Sequence, residues 1–160
     1  MVDLKIKKRP IGAVAKVARN GHPEVTSRTG GRIGVVTGAS EEGFNPLDLM
    51  FASLSACLVL SARIAASKLA LLDRFDGASA DVTGEKSAEE PYRVERFIVK
   101  ITIDGNLSED ERHRIVHMAE EICTVSNTLK TPPAISLSIG CLLSHCPECG
   151  CLRRRGAGDW

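Results

Sequence analysis

The sequence predicts an α+β domain whose elements follow the order β-β-β-α-β-β-α-β. Three observations support this fold class. Short alternating segments are separated by turn residues, a long apolar segment begins at Asn45-Pro46, and a Ser-x-x-Glu capping box at Ser108 precedes an amphipathic segment. We therefore expect two long central helices packed on antiparallel sheet.

The first third of the chain predicts three short strands. Residues 13–19, 24–28 and 33–37 each alternate weakly between apolar and polar side chains. Asn20-Gly21 is a strong hairpin-turn signal between the first two, and Gly30-Gly31 separates the second from the third. Consecutive strands joined so closely are expected to pair antiparallel.

The first helix is predicted from Asn45-Pro46 to about Lys68. Asn45 is a favourable N-cap, proline suits the first turn, and Asp48 can face the free amides there. The segment is apolar nearly all round, which is typical of a helix buried on most sides. Because one short chain has too little sheet to cover two such helices, a second subunit is expected, giving a homodimer.

The second half predicts a strand pair, a helix and a last strand. Residues 78–86 and 92–104 form the pair, and the helix follows the capping box Ser108 to Glu111. Its apolar stripe consists of Ile115, Met118, Ala119, Ile122 and Val125. After Pro132-Pro133, the alternation of Ile135, Leu137 and Ile139 indicates the last strand.

Charge and composition exclude several classes of protein. The chain has 160 residues, enough for one domain, and 21 basic against 20 acidic side chains give a net charge of +1. With aromatics at only 4%, this balance argues against nucleic-acid binding. The longest uncharged apolar run, residues 49–62, is shorter than the roughly 20 residues of a membrane span. The first nine residues lack an apolar signal core, so we expect a cytoplasmic protein.

Six cysteines are the most informative feature of the composition. Cys57 falls midway along the first helix and Cys123 in the second half of the other. One interpretation is that both are small core residues, as free cysteines often are. The other is a dithiol, in which one thiolate attacks a peroxide to form a sulfenic acid and the second condenses with it to a disulfide.

Two motifs resemble one known family. The segment from Asn45 to Cys57 resembles the Asn-Pro-x-x-Leu-x-x-Ala-x-x-x-Ala-Cys helix of the OsmC/Ohr family, the osmotically inducible and organic hydroperoxide resistance proteins. Residues 123–127 are similar to that family's Cys-Pro-x-Ser-Asn motif, with Thr124 in place of proline. The resemblance covers about residues 12 to 140.

This resemblance implies an OsmC-like fold, an intertwined homodimer with active sites at the subunit interface, and a thiol-dependent peroxidase acting on organic hydroperoxides. Cys57 would be the peroxidatic thiol and Cys123 the resolving one. The reductant would be a dithiol or a lipoyl group, and no cofactor would be required. Met50, Phe51 and Leu54 are expected to line an apolar substrate groove.

The family also implies a cation beside the reactive thiol, since a buried thiol otherwise has a raised pKa. Arg19, at the first hairpin, matches the family's arginine, and Arg32 is the second choice. The glutamate that holds this arginine is replaced by Leu47. Asp48 is either its substitute or a complement to the helix dipole.

An alternative function follows from these departures. Leu47 and Thr124 favour an OsmC-like stress-response protein that senses oxidation or binds a ligand or metal without efficient turnover. His113 and His117 are four residues apart, a spacing that can bind metal, but they share a charged helix face and are interpreted as solvated.

The C-terminal segment lies outside the family pattern. We expect an OsmC-like domain over residues 1–141 and a cysteine-rich, basic tail over 142–160. Thiolates at this spacing suit tetrahedral zinc, further redox chemistry is a second interpretation, and an idle tail is the third. The candidate ligands are Cys141, Cys146, Cys149 and Cys151.

Overall fold

The computed structural model describes residues 9–38, 40–131 and 133–140, which form two antiparallel sheets and three α-helices. The elements, in chain order, are β1 (Ala13–Lys16), β2 (Glu24–Ser27), β3 (Arg32–Gly34), α1 (Pro46–Lys68), a 3-10 turn (Leu72–Arg74), β4 (Phe75–Lys86), β5 (Val94–Gly105), α2 (Glu109–Ile122) and α3 (Thr124–Lys130). The predicted α+β class is confirmed, as are three strands, a helix, a strand pair and a helix in that order.

The first sheet has the order β1-β2-β3, with both pairs antiparallel. Ala13 lies opposite Ser27, and Thr26 opposite Arg32. β1 ends at Lys16, which pairs with Glu24, so β1 and β2 are antiparallel as predicted but residues 17–23 form a longer connection than the expected tight turn, with Gly21 at a φ of 96°. All four residues of β1 are exposed, so this sheet has little core of its own.

Helix α1 begins as its sequence predicts. The Asn45 side chain accepts hydrogen bonds from the amides of Leu47 (2.8 Å) and Asp48 (3.0 Å). In return the Asp48 carboxylate accepts from the Asn45 amide at 3.0 Å. This reciprocal capping box, with Pro46 in the first turn, satisfies amides that every helix N-terminus leaves free.

The β4–β5 hairpin packs against α1, and α2 packs beside it. The core between these elements is built from small α1 residues, Ala62, Ala65 and Ala66, against Ile103 of β5 and Ile115 of α2. All five are nearly or completely inaccessible to solvent. The small alanine side chains let α1 approach its neighbours closely.

The turn from β5 into α2 is held by local polar contacts. An added Cβ at Gly105, whose φ is 135°, would lie 2.1 Å from the Arg74 carbonyl oxygen, so only glycine fits there. The predicted capping box at Ser108 is confirmed by its bond from the Glu111 amide. A hydrogen bond from the Arg74 guanidinium, aided by the Ser108 amide, lowers the pKa of Glu111 to about 2.

The second helix is not continuous, which corrects the prediction for this region. Helix α2 ends at Ile122, and Cys123 has an extended conformation, with φ −72° and ψ 106°. Helix α3 then starts at Thr124. Cys123 is therefore the residue between two helices and not a position within one. It is the N-cap of α3, since its sulfur accepts a hydrogen bond from the Ser126 amide at 3.4 Å.

The predicted last strand is not formed within the chain. Residues 133–140 pair with no strand of the described structure. Ile135, Leu137 and Ile139 are 85%, 94% and 103% exposed. Alternation alone predicts a strand, but a strand needs a neighbouring edge with which to exchange hydrogen bonds, and no described strand provides one for this segment.

Helix α1 is long and apolar enough to cross a membrane by length and composition alone. Here it packs against β4, α2 and α3, as the core helix of the fold. Only 33% of its most apolar stretch is buried, however, and Leu60 and Ile64 are about half exposed. One chain therefore leaves part of this helix uncovered.

Candidate functional site

The structure brings Cys57 and Cys123 together in one apolar cluster, which we call the thiol cluster. Cys123 is completely buried, whereas Cys57 is partly exposed. Each thiol lies close enough to the other to shift its pKa. The cluster consists of Leu54, Cys57, Leu58, Ala80, Val82, Phe97, Ile101, Cys123, Val125 and Leu129.

The break between α2 and α3 creates this arrangement. Leu54 and Leu58 of α1 are buried against Cys123, and Cys57 lies on the same helix between them. Because α3 begins immediately after Cys123, its first amides also lie at this point of α1. The backbone amides of Val125 and Thr124 both lower the pKa of the Cys57 thiol.

The surroundings of Cys57 favour its thiolate. Burial by itself raises the pKa of Cys57, but hydrogen bonds from the Cys123 thiol, the Val125 and Thr124 amides and the Ser61 hydroxyl outweigh it. The pKa of Cys57 is consequently lowered from its ordinary value. Hydrogen bonds to an anion favour the charged form, so a larger fraction of Cys57 is thiolate at neutral pH.

Cys123 has the opposite tendency. Burial raises the pKa of Cys123, and the hydrogen bond with Cys57 raises it further, against the opposing effect of the Ser126 amide. When Cys57 is ionised, a second negative charge beside it is disfavoured, so Cys123 keeps its proton and donates it to Cys57. The pair thus divides into an accessible thiolate and a buried thiol.

Three donors to Cys57 were not anticipated from the sequence. Ser61 follows Cys57 by four residues, which places it on the same helix face, and this spacing could have indicated it. The amides of Thr124 and Val125 carry no side-chain signal. Thr124, noted only as a departure from the family motif, supplies an N–H that proline lacks.

The two candidate arginines do not act on Cys57 within one chain. Arg19 is exposed in the loop between β1 and β2, and Arg32 is exposed and lies 3.7 Å from Glu24. Neither is among the groups that shift the pKa of Cys57. The role predicted for Arg19 stays a prediction.

Asp48 lies away from the thiol of its own chain. Nine residues separate it from Cys57 along α1, which corresponds to about 14 Å at the helical rise. Its carboxylate is engaged with the Asn45 amide, and among the described residues no arginine is paired with it. The capping interpretation of Asp48 is thus the one with a visible contact, and its predicted catalytic role stays a prediction.

A cavity of about 580 Å³ adjoins the thiol cluster. Leu54 and Leu58 line both, together with Phe97, Ile101 and Leu129. Of the predicted groove residues, Leu54 lines this cavity, and Phe51 packs edge-on against Phe97 with ring centroids 5.7 Å apart. The Glu120–Lys130 ion pair lies at its rim. Neither Cys57 nor Cys123 lines the cavity, which shares its apolar wall with the thiol cluster and also includes Glu95 and Arg96 in its lining.

The described residues contain no cluster of metal-binding side chains. His113 and His117 lie on an exposed face of α2 and pair with Glu109 and Glu121 at 3.8 and 3.4 Å. The predicted zinc ligands Cys141, Cys146, Cys149 and Cys151, and the domain boundary at residue 141, lie outside the described residues.

Comparison with known proteins places the chain in a family. The model of the OsmC-like protein family matches residues 38–138, and the chain therefore belongs to the OsmC-like family. No sequence match was found among curated proteins.

Solved structures show the same fold. An OsmC-like protein from Mycoplasma pneumoniae has a TM-score of 0.66 at 18% identity, over 78% of this chain and 89% of that one. An organic hydroperoxide resistance protein from Elizabethkingia anophelis, with bound thiocyanate, has a TM-score of 0.65 and is 19% identical in sequence. The match covers 79% of this chain and 92% of that one. The organic hydroperoxide resistance protein OhrB of Bacillus subtilis has a TM-score of 0.60 and is 18% identical in sequence. The match covers 78% of this chain and 93% of that one.

The Thr124 amide can be removed without disturbing the break between the helices. Cys123 is already extended, as a residue before proline should be, and proline suits the first position of α3. We expect Thr124→Pro to raise the pKa of Cys57 and to slow its alkylation at neutral pH by about three- to tenfold, the net worth of one hydrogen bond.

The measurement is the pH profile of iodoacetamide alkylation, read by mass spectrometry on the peptide that carries Cys57. Thr124→Ala keeps the N–H and serves as the control, with an unchanged profile. Identical profiles for the proline and alanine variants would show that this amide does not act on the thiolate.

Proposed function

We propose that this protein is a thiol-dependent peroxidase that reduces organic hydroperoxides through Cys57 and Cys123. The observation that carries the proposal is the contact between two thiols whose pKa values are shifted in opposite directions. Pairs of titratable groups pushed apart in this way mark acid and base roles. The family to which the chain belongs supports the same function.

The first step uses Cys57. Its thiolate attacks the terminal oxygen of the hydroperoxide, the O–O bond breaks, and the alkoxide leaves and takes up a proton to become an alcohol. Cys57 is oxidised to a sulfenic acid. The hydrogen bonds that lower its pKa also hold its sulfur in place for attack.

The second step uses Cys123. Its thiol loses a proton, its sulfur attacks the Cys57 sulfenic acid, a disulfide forms and water leaves. The two thiols already contact each other, so little movement is required. A dithiol or lipoyl reductant would then restore both thiols by exchange and become a disulfide itself. A reducing compartment such as the cytoplasm suits this cycle.

The cavity beside the thiol cluster supports an apolar hydroperoxide as the substrate. Its lining combines aliphatic and aromatic residues with the charged Glu95, Arg96, Glu120 and Lys130, and the hydrocarbon part of an alkyl or aryl hydroperoxide would be desolvated against the apolar part. Hydrogen peroxide has no such part and gains nothing from this surface. We therefore propose a preference for cumene or fatty hydroperoxides.

Variants of the two cysteines test the dithiol. Cys57→Ser should abolish consumption of cumene hydroperoxide, because the attacking thiolate is gone. Cys123→Ser should still form one sulfenic acid per chain, trapped by dimedone, but should not turn over, because the disulfide cannot form. Peroxide consumption with dihydrolipoamide as the reductant and mass spectrometry of the trapped adduct provide the measurements.

A second candidate function is that of a stress-response protein that is oxidised once and turns over slowly. Leu47 at the family's glutamate position favours it, and so does the lack of a cation among the groups acting on Cys57 within the described chain. Rapid disulfide formation followed by slow re-reduction in the wild-type protein would favour this sensing function over the peroxidase.

We also propose that the protein functions as an intertwined homodimer. Val14 and Val17 at the first sheet, Leu60 and Ile64 on α1, and Leu137 near the C-terminal end of the described chain are large apolar residues with substantial exposure. Residues 133–140 pair with none of the strands that the structure describes. A second copy would cover these surfaces by symmetric contacts.

Light scattering coupled to size-exclusion chromatography should give twice the 17.2 kDa mass of one chain at micromolar concentration. Replacing Leu137 and Ile139 together by Ser should weaken the dimer, because both side chains are almost fully exposed in the single chain. A Lys68→Ser variant, at the polar end of α1, is the matched control. A monomeric wild-type protein would contradict this proposal.

In a homodimer, Arg19 and Asp48 of one copy can act on Cys57 of the other. Asp48 is about 14 Å along α1 from Cys57 of its own chain, beyond direct reach. Arg19 lies in the loop that follows β1, near the start of α1, because Val17 of the same loop and Pro46 line one cavity of about 370 Å³. We propose that Arg19 serves the Cys57 of the second copy, with Asp48 near it.

Arg19→Ala should then slow sulfenic acid formation at Cys57 by about tenfold or more, equivalent to about 1.4 kcal/mol of barrier. The test for action between subunits is a mixture. Arg19→Ala and Cys57→Ser chains are refolded together. In the heterodimer, Cys57 of the first chain meets Arg19 of the second, so part of the protein should again form sulfenic acid at the wild-type rate.

Stopped-flow measurement with cumene hydroperoxide follows both the single variant and the mixture. Arg32→Ala is the control and should react as the wild type does. No recovery in the mixture would place Arg19 on its own chain's thiol, and an unchanged rate in Arg19→Ala would remove it from the reaction.

A further inference from the structure

Asn127 is an exposed residue of α3 that bonds across the break to α2. Its side-chain amide donates to the Glu121 carbonyl, with 2.9 Å between the amide nitrogen and the oxygen. Glu121 lies in the last turn of α2, where a helix leaves its carbonyls without backbone partners. The Asn127 side chain therefore satisfies a carbonyl that the end of α2 would otherwise leave free.

The same carbonyl would have a different partner in a continuous helix. There it would accept from the amide four residues further on, which belongs to Val125. In the structure the extended backbone of Cys123 interrupts this pattern, and Asn127 bonds the carbonyl in place of Val125. Asn127 and Val125 are thus the donors of two alternative backbones, one broken and one continuous, that compete for one oxygen.

The thiol cluster requires the broken backbone. Cys123, Val125 and Leu129 all belong to this cluster, together with Cys57 of α1. Successive residues of a continuous helix turn by about 100°, so Cys123 and Val125 would point about 200° apart, and Leu129 would lie on the side of Val125. Only the break at Cys123 lets all three side chains face α1.

Few polar contacts besides the Asn127 bond hold α3 in this arrangement. The Cys123 sulfur accepts from the Ser126 amide at 3.4 Å, and the Lys130 ammonium lies 2.6 Å from the Glu120 carboxylate. A thiol sulfur is a weak acceptor, and an exposed ion pair contributes little. A helix of seven residues is also too short to be stable by itself. The Asn127 bond therefore matters for where α3 lies.

We propose that Asn127 is a positioning residue for the dithiol: by occupying the Glu121 carbonyl, it keeps α2 and α3 as separate helices and holds Cys123 and the start of α3 against Cys57. The part that Asn127 plays in catalysis rests on the function proposed above, whereas the hydrogen bond and the break belong to the fold. Thr124 makes this bond important, because a proline at position 124 would enforce the break by itself.

The experiment compares wild type, Asn127→Ala, Thr124→Pro and the double variant in the full chain. Alanine favours a continuous helix and cannot donate to the Glu121 carbonyl. In Asn127→Ala the pH profile of Cys57 alkylation should move to higher pH, with a rate at pH 7 about three- to tenfold below wild type. The reason is that the Val125 amide, which lowers the pKa of Cys57, returns to the α2 carbonyl.

The proline background shows whether Asn127 acts through the break. There the same alanine substitution should change the rate by less than about twofold, because proline already prevents the continuous helix. A role of Asn127 in stability alone would slow alkylation equally in both backgrounds, and that result would overturn the positioning role.

Thr128→Ala is the matched control. The Thr128 hydroxyl donates to the Thr124 carbonyl at 2.8 Å, a bond within α3, so its removal leaves the contact with α2 in place. The alkylation profile of this variant should coincide with that of the wild type.

A second arm separates this inference from the peroxidase proposal. Sulfenic acid formation with cumene hydroperoxide should slow in Asn127→Ala by the same factor as alkylation, and an unchanged rate would remove Asn127 from the reaction. If wild-type protein does not react with the hydroperoxide, the peroxidase proposal fails while the alkylation rates still decide the role of Asn127. Coincident alkylation profiles for Asn127→Ala and wild type would overturn that role, whatever the peroxide result.

Discussion

The contact between the Cys57 and Cys123 thiols is the interaction on which the rest of the site depends. It exists because α2 stops one residue before Cys123 and α3 starts one residue after it. A continuous helix would bond the amides of Thr124 and Val125 to carbonyls of the preceding turn. The break frees these amides, and both lower the pKa of Cys57. One interruption of the backbone therefore supplies both the second thiol and two donors to the first.

These donors are neutral, and this defines the electrostatics of the site within one chain. A cation lowers the pKa of a thiol through its charge, and over a longer distance than a neutral donor can act. Amides and hydroxyls act only in contact and only with good alignment, so the position of α3 relative to α1 must be well held. The buried Leu54 and Leu58 provide that restraint. Both belong to α1, they come before and after Cys57 in the sequence, and both pack against Cys123.

Sequence reasoning succeeded where the signals are local. Asn45, Pro46 and Asp48 determine the start of α1 within four residues, and Ser108 and Glu111 do the same for α2, so both were predicted correctly. The break at Cys123 was missed for a related reason. A proline at position 124 would have indicated an extended residue before it, but this chain has Thr124, whose side chain gives no such signal.

The remaining differences come from partners that lie far away in sequence. Ile135, Leu137 and Ile139 alternate as a strand does, yet whether they form one depends on an available sheet edge, which a local pattern does not encode. The donors to Cys57 were equally hidden, since two are backbone amides contributed across 67 or more residues of sequence (57 to 124 and 125). The same argument applies to Arg19. Its motif marks it as a candidate, but no contact within the described chain connects it to a thiol.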